Sequence, residues 1–297
     1  MNQTPIEWTD KTWNPIVGCT RGCPWCYARR QARRNVRRCP DCGAFRPHLH
    51  AERLDEPLRA RKPRVIFTCS MGELFDPQVP DAWRDRVFAA MALGFWHTFA
   101  CLTKRPRGAK EYLSWYPSTG RRTTRLADVL DWQDRLGPHM NTLEGKDRDK
   151  ARPPFPWPLR NLALGVSATN QADVDKRVPA LLDTPAAVRF ASLEPLCGPV
   201  EITPYLRESG GGTFPIGLGR SPQGTFWRRI PLDGIIVGGM TGPGAVLMHL
   251  DWVRAIRDQC AAAAVPFFLK QLGPTKAAGR RLDGRTHDDL PWRPKKL

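Results

Sequence analysis

Long apolar stretches are missing from this 297-residue sequence, and no segment approaches the roughly 20 uninterrupted apolar residues of a membrane-spanning helix. The first ten residues also lack the basic and apolar regions of a secretory signal. We therefore expect a cytoplasmic protein with no membrane partner. With 41% hydrophobic and 25% charged residues, the composition is typical of a globular chain that buries a substantial core.

The cysteines lack the pattern of a disulfide framework. Their number, nine, is odd, and three of them lie within eight residues. In a reducing cytoplasm, cysteines serve as ligands, as catalytic groups or as small buried side chains. Cys69 and Cys101 fall inside apolar segments and are predicted core residues, whereas Cys197 and Cys260 belong to no recognisable pattern.

Acidic residues are too few to balance the basic ones. Lys and Arg number 46 against 29 Asp and Glu, which leaves a net charge of +17. Such a charge attracts polyanions and raises the rate of encounter with nucleic acid. Nucleic acid is therefore a predicted partner, and an arginine-rich proteome in a GC-rich organism is the alternative explanation.

The densest basic segment follows position 28, where arginine pairs recur every four residues. On a helix, six arginines would cover one half of the surface: Arg29, Arg30, Arg33, Arg34, Arg37 and Arg38. Residues 28–38 include no acidic side chain for the i,i+4 ion pairs of a solvated helix. The pattern favours contact with phosphates. A solvated face, or a surface that docks an acidic partner protein, remains open.

Apolar segments of strand length alternate with segments of helix length. The six predicted strands are Arg64–Ser70, His97–Thr103, Leu162–Ser167, Val188–Ser192, Gly234–Gly238 and Pro266–Lys270. The three predicted helices are Pro80–Leu93, Gln171–Leu182 and Asp251–Ala263. Near-continuous apolar strands are typical of parallel sheets, and the alternation predicts an α/β fold, either a doubly wound sheet or a barrel. An additional first strand is expected to end near Gly18.

Insertions are expected within a single domain that spans residues 1–297. A small metal-binding insertion is predicted at 36–52 and a Gly-rich insertion at 207–230, in which 210–226 would be a loop or an irregular hairpin. The Pro-rich and charged segment Pro138–Pro158 is predicted to be a long loop. Loops of this length are usually functional or disordered.

Cys19, Cys23 and Cys26 form a C-x3-C-x2-C pattern just before the basic segment. A structural zinc site normally uses four protein ligands. Three thiolates that bind an iron–sulfur cube would instead leave one iron open to a substrate or cofactor. The pattern therefore favours an iron–sulfur cluster.

This cysteine pattern resembles that of the radical S-adenosylmethionine (radical SAM) superfamily, with the aromatic Trp25 beside the last cysteine. The resemblance implies a partial or complete (β/α) TIM-like barrel in which the three cysteines hold a 4Fe–4S cluster. It also implies that SAM chelates the fourth iron, and that the reduced cluster cleaves SAM to methionine and a 5′-deoxyadenosyl radical. Such cofactors supply the radical chemistry while the protein supplies orientation.

A narrower resemblance covers most of the chain. It is carried by Ile6–Asp10, Thr12–Pro15, Gly18–Cys19, Cys26–Ala28, Leu102–Pro106, Leu164–Ser167, Glu194–Leu196, Gly198–Pro199, Ile236–Gly239, Asp251–Arg254, Pro266–Phe268 and Lys270–Gln271. These residues resemble the phage-associated three-Cys-motif proteins, a family of largely uncharacterised members. The chain departs from that family at Met240, where relatives tend to carry Glu, and at 168–170, where Glu-Asn usually follows Val-Ser. The resemblance therefore assigns no substrate.

Polar residues follow several predicted strands, at the ends where barrel enzymes carry their active sites. The radical SAM resemblance implies cofactor contacts for Trp25, Gly72, Glu73, Lys104, Ser167, Asn170 and Glu194. Glu73 would receive the SAM amino group, with helix capping or an internal ion pair as the alternative. Ser167 and Asn170 would contact the SAM ribose or carboxylate. Lys104 and Arg105 would bind the SAM carboxylate or a substrate phosphate, and Glu194 the cofactor or the substrate.

A second group of soft ligands comprises Cys39, Cys42, His48 and His50. Four such ligands within twelve residues suffice for one tetrahedral zinc ion. The two histidines are closer in sequence than is usual for zinc. An auxiliary iron–sulfur cluster and the absence of any metal therefore remain alternatives.

Three functional hypotheses follow. The first is a radical SAM enzyme that modifies or repairs a nucleic-acid base. The second is a radical SAM enzyme that acts on a peptide or small metabolite together with a partner protein. The third is a zinc-dependent nucleic-acid-binding protein without catalysis.

Overall fold

A computed structural model describes residues 1–35, 39–114, 158–206, 219–220, 226–227, 231–242, 244–245, 247–273 and 279–293. By compactness the chain divides into two units, Met1–Leu162 and Ala163–Leu297. Both units are built from α-helices and mostly parallel strands, which confirms the predicted α/β class. The single domain over residues 1–297 stays a prediction.

The described part of the first unit contains six strands and four helices. The strands are β1 (Asn2–Gln3), β2 (Lys11–Trp13), β3 (Ile16–Val17), β4 (His48–Leu49), β5 (Val65–Thr68) and β6 (Thr98–Thr103). The helices are α1 (Tyr27–Ala32), α2 (Pro40–Ala44), α3 (Asp81–Leu93) and α4 (Pro106–Ser114). Sheet order is β1-β2-β5-β6, and β2, β5 and β6 are parallel. Strands β3 and β4 form a separate antiparallel hairpin.

The second unit has its own parallel strands. Its described elements are β7 (Leu162–Ala168), α5 (Gln171–Leu182), β8 (Val188–Leu193), β9 (Gly219–Arg220), β10 (Phe226–Trp227), β11 (Gly234–Gly238), α6 (Leu250–Ala262), β12 (Phe267–Gln271), β13 (Arg281–Leu282) and β14 (Arg285–Thr286). The order β7-β8-β11-β12 is parallel throughout. Two short antiparallel pairs, β9–β10 and β13–β14, complete the unit.

The main sequence predictions of secondary structure are confirmed. The six apolar segments form β5, β6, β7, β8, β11 and β12, and the three helical segments form α3, α5 and α6. Their ends differ from the predicted ends by at most two residues, and β11 and α5 have the predicted bounds. Strands β7, β8 and β11 are almost entirely buried, as expected of strands covered on both faces. In neither unit do the described strands close into a barrel. No helix among the described residues is long and apolar enough to cross a membrane.

The first strand of the sheet differs from the prediction. Strand β2 takes the place beside β5, whereas the segment that ends near Gly18 is β3, which pairs with β4 instead. Between them lies Pro15, which has no N–H to donate to a ladder. Its carbonyl accepts a hydrogen bond from the His50 N–H at 2.7 Å. The chain therefore leaves the sheet after Trp13 and enters the hairpin.

The basic helix is shorter than predicted. Helix α1 ends at Ala32, and residues Arg33–Asn35 form a 3₁₀ turn, so the arginines do not share one continuous α-helix. Arg37 and Arg38 lie outside the described residues, as does the loop Pro138–Pro158 except for its last residue. Within 207–230, the described part is the β9–β10 pair.

Gly18 occupies the most crowded backbone position near the cysteine motif. Its φ of +97° is in the left-handed region, and a methyl group there would lie 2.1 Å from the Arg46 carbonyl oxygen. Gly72 is also constrained, since a methyl group would meet the Ile16 carbonyl oxygen at 2.8 Å. Gly22, with φ of +73°, has no neighbouring atom within 4 Å of that position.

Gly18→Ala should destabilise the protein by about 2 kcal/mol or more, because it combines an unfavourable φ with a backbone clash. Gly22→Ala is the matched control, since it carries the φ penalty of about 1 kcal/mol without the clash. Denaturant unfolding measures both variants. Equal losses of stability would contradict the close approach at Gly18.

Candidate metal and cluster sites

The three-cysteine loop, residues 18–26, connects β3 to α1. Cys26 is the N-cap of α1, and its Sγ accepts the Arg29 N–H at 3.4 Å. The Sγ of Cys19 accepts the Arg21 N–H at 3.3 Å. All three cysteines of the motif are partly buried, and none of them forms a disulfide. Local backbone donors thus hold the thiols of Cys19 and Cys26.

A small hydrophobic cluster holds the loop together. It consists of Ala28, Ala32 and Phe45, and the partly buried side chains of Cys19, Cys26 and Met71 pack against it. Burial raises the pKa of the Cys19 thiol to about 11, so this thiol is neutral at neutral pH unless a cation displaces its proton. The first and third cysteines of the motif therefore share one packing environment.

The segment Met71–Glu73 runs beside the start of the loop. The Gly18 N–H donates to the Met71 carbonyl at 3.0 Å, and the Glu73 N–H donates to the Gly18 carbonyl at 3.1 Å. Gly18 and Gly72 thus form an isolated parallel bridge. A segment predicted to contact the cofactor lies directly alongside the predicted cluster ligands.

The Glu73 carboxylate is engaged by protein donors. It is only 5% exposed and accepts hydrogen bonds from Thr103 Oγ1 at 2.7 Å, Lys104 N at 2.9 Å and Phe75 N at 3.2 Å. Burial raises the pKa of this carboxyl group above its ordinary range. Glu73 therefore ties its segment to the end of β6 through hydrogen bonds to a hydroxyl and to backbone amides, and its contact with SAM stays a prediction.

Basic side chains line the loop from the end of β6. Lys104 Nζ lies 3.7 Å from Cys23 Sγ, and Arg21 Nη1 donates to the Lys104 carbonyl at 3.3 Å. Arg105 Nη2 donates to Thr20 Oγ1 at 2.9 Å, and its buried Nε has no partner among the described residues. The Lys104 ammonium therefore lies where it would offset negative charge on metal-bound sulfur.

Sequence reasoning missed Asp76 and Thr20, two residues that position this loop. Asp76 is fully buried and accepts hydrogen bonds from Thr20 N at 2.9 Å and Thr20 Oγ1 at 2.8 Å. Arg105 lies 3.4 Å from the same carboxylate. The available signal was an acidic residue three positions after Glu73, in the segment that follows β5.

The Cys/His cluster consists of Cys39, Cys42, His48 and His50, whose potential ligand atoms all lie within 4.8 Å of one another. Cys42 Sγ is 3.3 Å from His48 Nε2 and 3.2 Å from His50 Nε2, and Cys39 Sγ is 3.5 Å from His48 Nε2. Among the described residues, this is the group that could hold a single metal ion.

Local structure explains how the four ligands converge. Cys39 is the N-cap of α2 and accepts the Cys42 N–H at 3.4 Å, which places both thiols on one turn. His48 lies on β4 and His50 directly follows that strand. Residues two apart in a strand point to the same face. The close spacing of the histidines therefore suits one shared ion.

Both imidazoles are oriented by their second nitrogen. His48 Nδ1 lies 2.8 Å from the Arg46 carbonyl oxygen, and His50 Nδ1 lies 2.9 Å from Glu52 Oε1. Such partners fix the tautomer that directs Nε2 to a metal. Burial raises the pKa of the Cys42 thiol to about 11, and burial also lowers the pKa of His50, which keeps its imidazole neutral. Neutral imidazole is the form that binds metal.

The arginines of α1 and of the 3₁₀ turn after it have distinct environments. Arg29 donates from Nη2 to the Cys19 carbonyl at 3.4 Å, and its guanidinium lies 5.5 Å from the centre of the Phe45 ring. Arg30, Arg33 and Arg34 are exposed. Arg29 is exposed as well, but it also contacts the loop through the Cys19 carbonyl and the Phe45 ring.

Trp25 lies inside the three-cysteine loop and is half-buried. Its indole N–H is buried and has no hydrogen-bond partner among the described residues. Cys69 and Cys101 are buried, which confirms their prediction as core residues.

The predicted contacts in the second unit have protein partners of their own. Asn170 caps α5, since its Oδ1 accepts the Asp173 N–H at 3.0 Å. Ser167 is largely buried, and its Oγ lies 3.5 Å from the Glu194 carbonyl oxygen. The Glu194 carboxylate pairs with Lys270. Ser167, Glu194 and Lys270 lie at the carboxyl ends of β7, β8 and β12. The cofactor contacts of Ser167, Asn170 and Glu194 stay predictions.

Comparison with known proteins gives one family. The family described as "Protein of unknown function (DUF5131)" matches residues 3–291. No curated protein matches significantly, and no solved structure does.

The Cys/His cluster should bind one Zn²⁺ ion per chain, and Glu52→Ala should weaken that binding about ten-fold. The physical reason is loss of the acceptor that orients His50, and the lower end of the usual 10–100-fold range applies because Glu52 is 67% exposed. Competition with a chromophoric chelator measures the affinity.

Cys42→Ser should abolish this binding, whereas Cys197→Ser, which changes an exposed cysteine of the second unit, should leave it unchanged. Wild-type affinity in both Glu52→Ala and Cys42→Ser would rule out the site.

Proposed function

The chain belongs to the DUF5131 family, whose function is unknown, and we propose that it is a cytoplasmic radical SAM enzyme whose 4Fe–4S cluster is held by Cys19, Cys23 and Cys26. One observation carries the proposal: the C-x3-C-x2-C loop packs with Met71 and is hydrogen-bonded through Gly18 to the Met71–Glu73 segment. The same proposal implies a partial (β/α) barrel.

The donor set of the loop fits such a cluster. Two carboxylates follow β5, Glu73 and Asp76, and both already accept hydrogen bonds from protein donors, so neither is counted as a cluster ligand. The loop therefore offers three thiols, which is the number that leaves one iron of a cube open. When bound, the cluster and SAM would supply a 5′-deoxyadenosyl radical that abstracts a hydrogen atom from the substrate.

The protein's own groups would orient and protect this chemistry. The Lys104 ammonium, 3.7 Å from Cys23 Sγ, would offset the negative charge of the thiolates. Asp76 and Arg105 would hold the loop through Thr20. Gly72 lets its segment approach the loop without a side chain between them. The roles of Trp25, Ser167, Asn170 and Glu194 as cofactor or substrate contacts are carried over from the resemblance.

A structural zinc ion in the Cys/His cluster belongs to the proposal. Two thiols and two imidazoles match a closed four-coordinate zinc site, which has no open position for catalysis. The second-nitrogen partners of both histidines support the same assignment.

Nucleic acid is the proposed substrate class, with modification or repair of a base as the reaction. The excess of basic residues and the exposed side chains of Arg30, Arg33 and Arg34 support this choice. A peptide or small-metabolite substrate, presented with a partner protein, is the alternative.

A non-catalytic zinc-dependent nucleic-acid-binding protein is the second candidate. It is favoured by the convergence of four metal ligands a few residues after these exposed arginines. Iron content and formation of 5′-deoxyadenosine, measured with and without oligonucleotide, distinguish the two candidates.

Cys19→Ala, Cys23→Ala and Cys26→Ala should each abolish the broad visible absorption of an iron–sulfur centre, because each removes one of three ligands. Anaerobic reconstitution followed by absorption spectra and counting of iron and sulfide tests this. Cys197→Ala is the control and should retain the centre. Full iron and sulfide in any of the three loop variants would rule out the assignment.

Replacement of Arg30 and Arg33 together by Gln should flatten the slope of log K against log salt by about two units on duplex DNA, since each phosphate contact contributes about 0.9. Affinity for all sequences should fall alike. Titrations at several salt concentrations measure the slope. An unchanged slope would mean that these side chains do not contact phosphates.

A further inference from the structure

We infer that the metal ion of the Cys/His cluster holds the three-cysteine loop in the conformation that binds the iron–sulfur cluster. The metal ion is thus a positioning element for the proposed active site. The iron-binding part of this inference rests on the proposed function, whereas the coupling between the metal ion and the loop does not. The inference depends on Gly18, which lies between the β3–β4 hairpin and the Met71–Glu73 segment.

The first connection is the hairpin itself. Strand β4 carries His48, which pairs with Val17 on β3, and the His50 N–H donates to the Pro15 carbonyl at 2.7 Å. Both metal-binding histidines are therefore on the chain segment that pairs with the residues leading into Cys19. A change in the position of either imidazole is transmitted to β3 through two backbone contacts.

The second connection runs through the carbonyl groups between the two pairs of ligands. His48 Nδ1 lies 2.8 Å from the Arg46 carbonyl oxygen. The same carbonyl is the group that leaves no room for a side chain at Gly18. One residue earlier, the Phe45 carbonyl accepts the Cys19 N–H at 3.2 Å. The backbone of Gly18 and Cys19 thus rests on the residues between Cys42 and His48.

The third connection is the Phe45 side chain. Phe45 follows α2 with φ of 57°, a left-handed conformation, and belongs to the hydrophobic cluster against which Cys19 and Cys26 pack. Helix α2 begins after Cys39, which caps it. The metal ligands therefore fix both ends of the turn that presents Phe45 to the loop.

These connecting elements are too short to be stable alone. Strands β3 and β4 have two residues each, and α2 has five. Isolated helices and hairpins of this size are not stable in water. A bound tetrahedral metal ion contributes folding free energy to small elements of this kind. The metal ion is therefore the component that stabilises Phe45 and Arg46, the residues that contact Gly18 and Cys19.

Hydrogen exchange in the cluster-free protein tests the coupling without any iron. Reduced protein is stripped with a chelator and compared with and without one equivalent of Zn²⁺, with exchange resolved to single amides. Zinc should slow exchange at least ten-fold at the amides of Gly18 and Cys19. Strand β8 of the second unit should not change, which controls for global unfolding.

Two variants identify which zinc site causes the slower exchange at Gly18 and Cys19. The double variant Cys23→Ser/Cys26→Ser leaves one thiol in the loop, which is too few to bind zinc there. Zinc should still protect the amides of Gly18 and Cys19 in this variant, because the Cys/His cluster is intact. Cys42→Ser should lose this protection. Protection confined to residues 39–50, or protection that persists in Cys42→Ser, would overturn the inference.

Iron uptake separates this inference from the proposed function. With ferrous iron and sulfide, Cys42→Ser should take up several-fold less iron than Cys197→Ser, and its residual centre should show an altered electron paramagnetic resonance spectrum. Equal iron content and identical spectra would overturn the coupling. No iron in any form, wild type included, would overturn the proposed cluster, and hydrogen exchange alone would then decide whether the metal ion positions the loop.

Discussion

The close contact between the Gly18 backbone and the Arg46 carbonyl is the constraint on which the candidate sites depend. Gly18 has no side chain and adopts a left-handed φ, so the β3–β4 hairpin and the Met71–Glu73 segment can both approach it. Its neighbours on one side are the residues between the metal ligands. Its neighbour on the other side is the segment proposed to contact SAM. One glycine therefore joins the two candidate sites of the first unit.

Electrostatics reinforce this arrangement. The chain has an excess of 17 positive charges, and the buried carboxylates of the first unit have specific partners. Asp76 accepts hydrogen bonds from Thr20, and Glu73 accepts them from the end of β6. A buried carboxylate is stable only when its oxygens are satisfied in this way. Arg105 pairs with Asp76, whereas the Lys104 ammonium lies 3.7 Å from Cys23 Sγ, a position that suits thiolates and an anionic cofactor.

Much of the fold could be predicted from the sequence because it depends on local pattern. Strands such as β7 and β11 are almost continuous apolar runs. Helices α3 and α5 lie between such runs, and each has an acidic residue in its first turn. The first strand could not be placed in the same way. Whether a short apolar segment joins the sheet or a hairpin depends on which distant strand pairs with it. Strand β3 pairs with β4, which lies some thirty residues further along the chain.

For the candidate sites, the sequence by itself determined which donor atoms are present: three thiols in a C-x3-C-x2-C loop, and two thiols with two imidazoles shortly after it. Only the tertiary structure decided how those donors are used. In the folded chain, the ligand atoms of the Cys/His cluster lie within 4.8 Å of one another, Glu73 accepts a hydrogen bond from Thr103, and Asn170 caps a helix. The physical reason is that residue type and spacing specify the chemistry of a side chain, whereas its partners depend on where the folded chain places distant backbone groups.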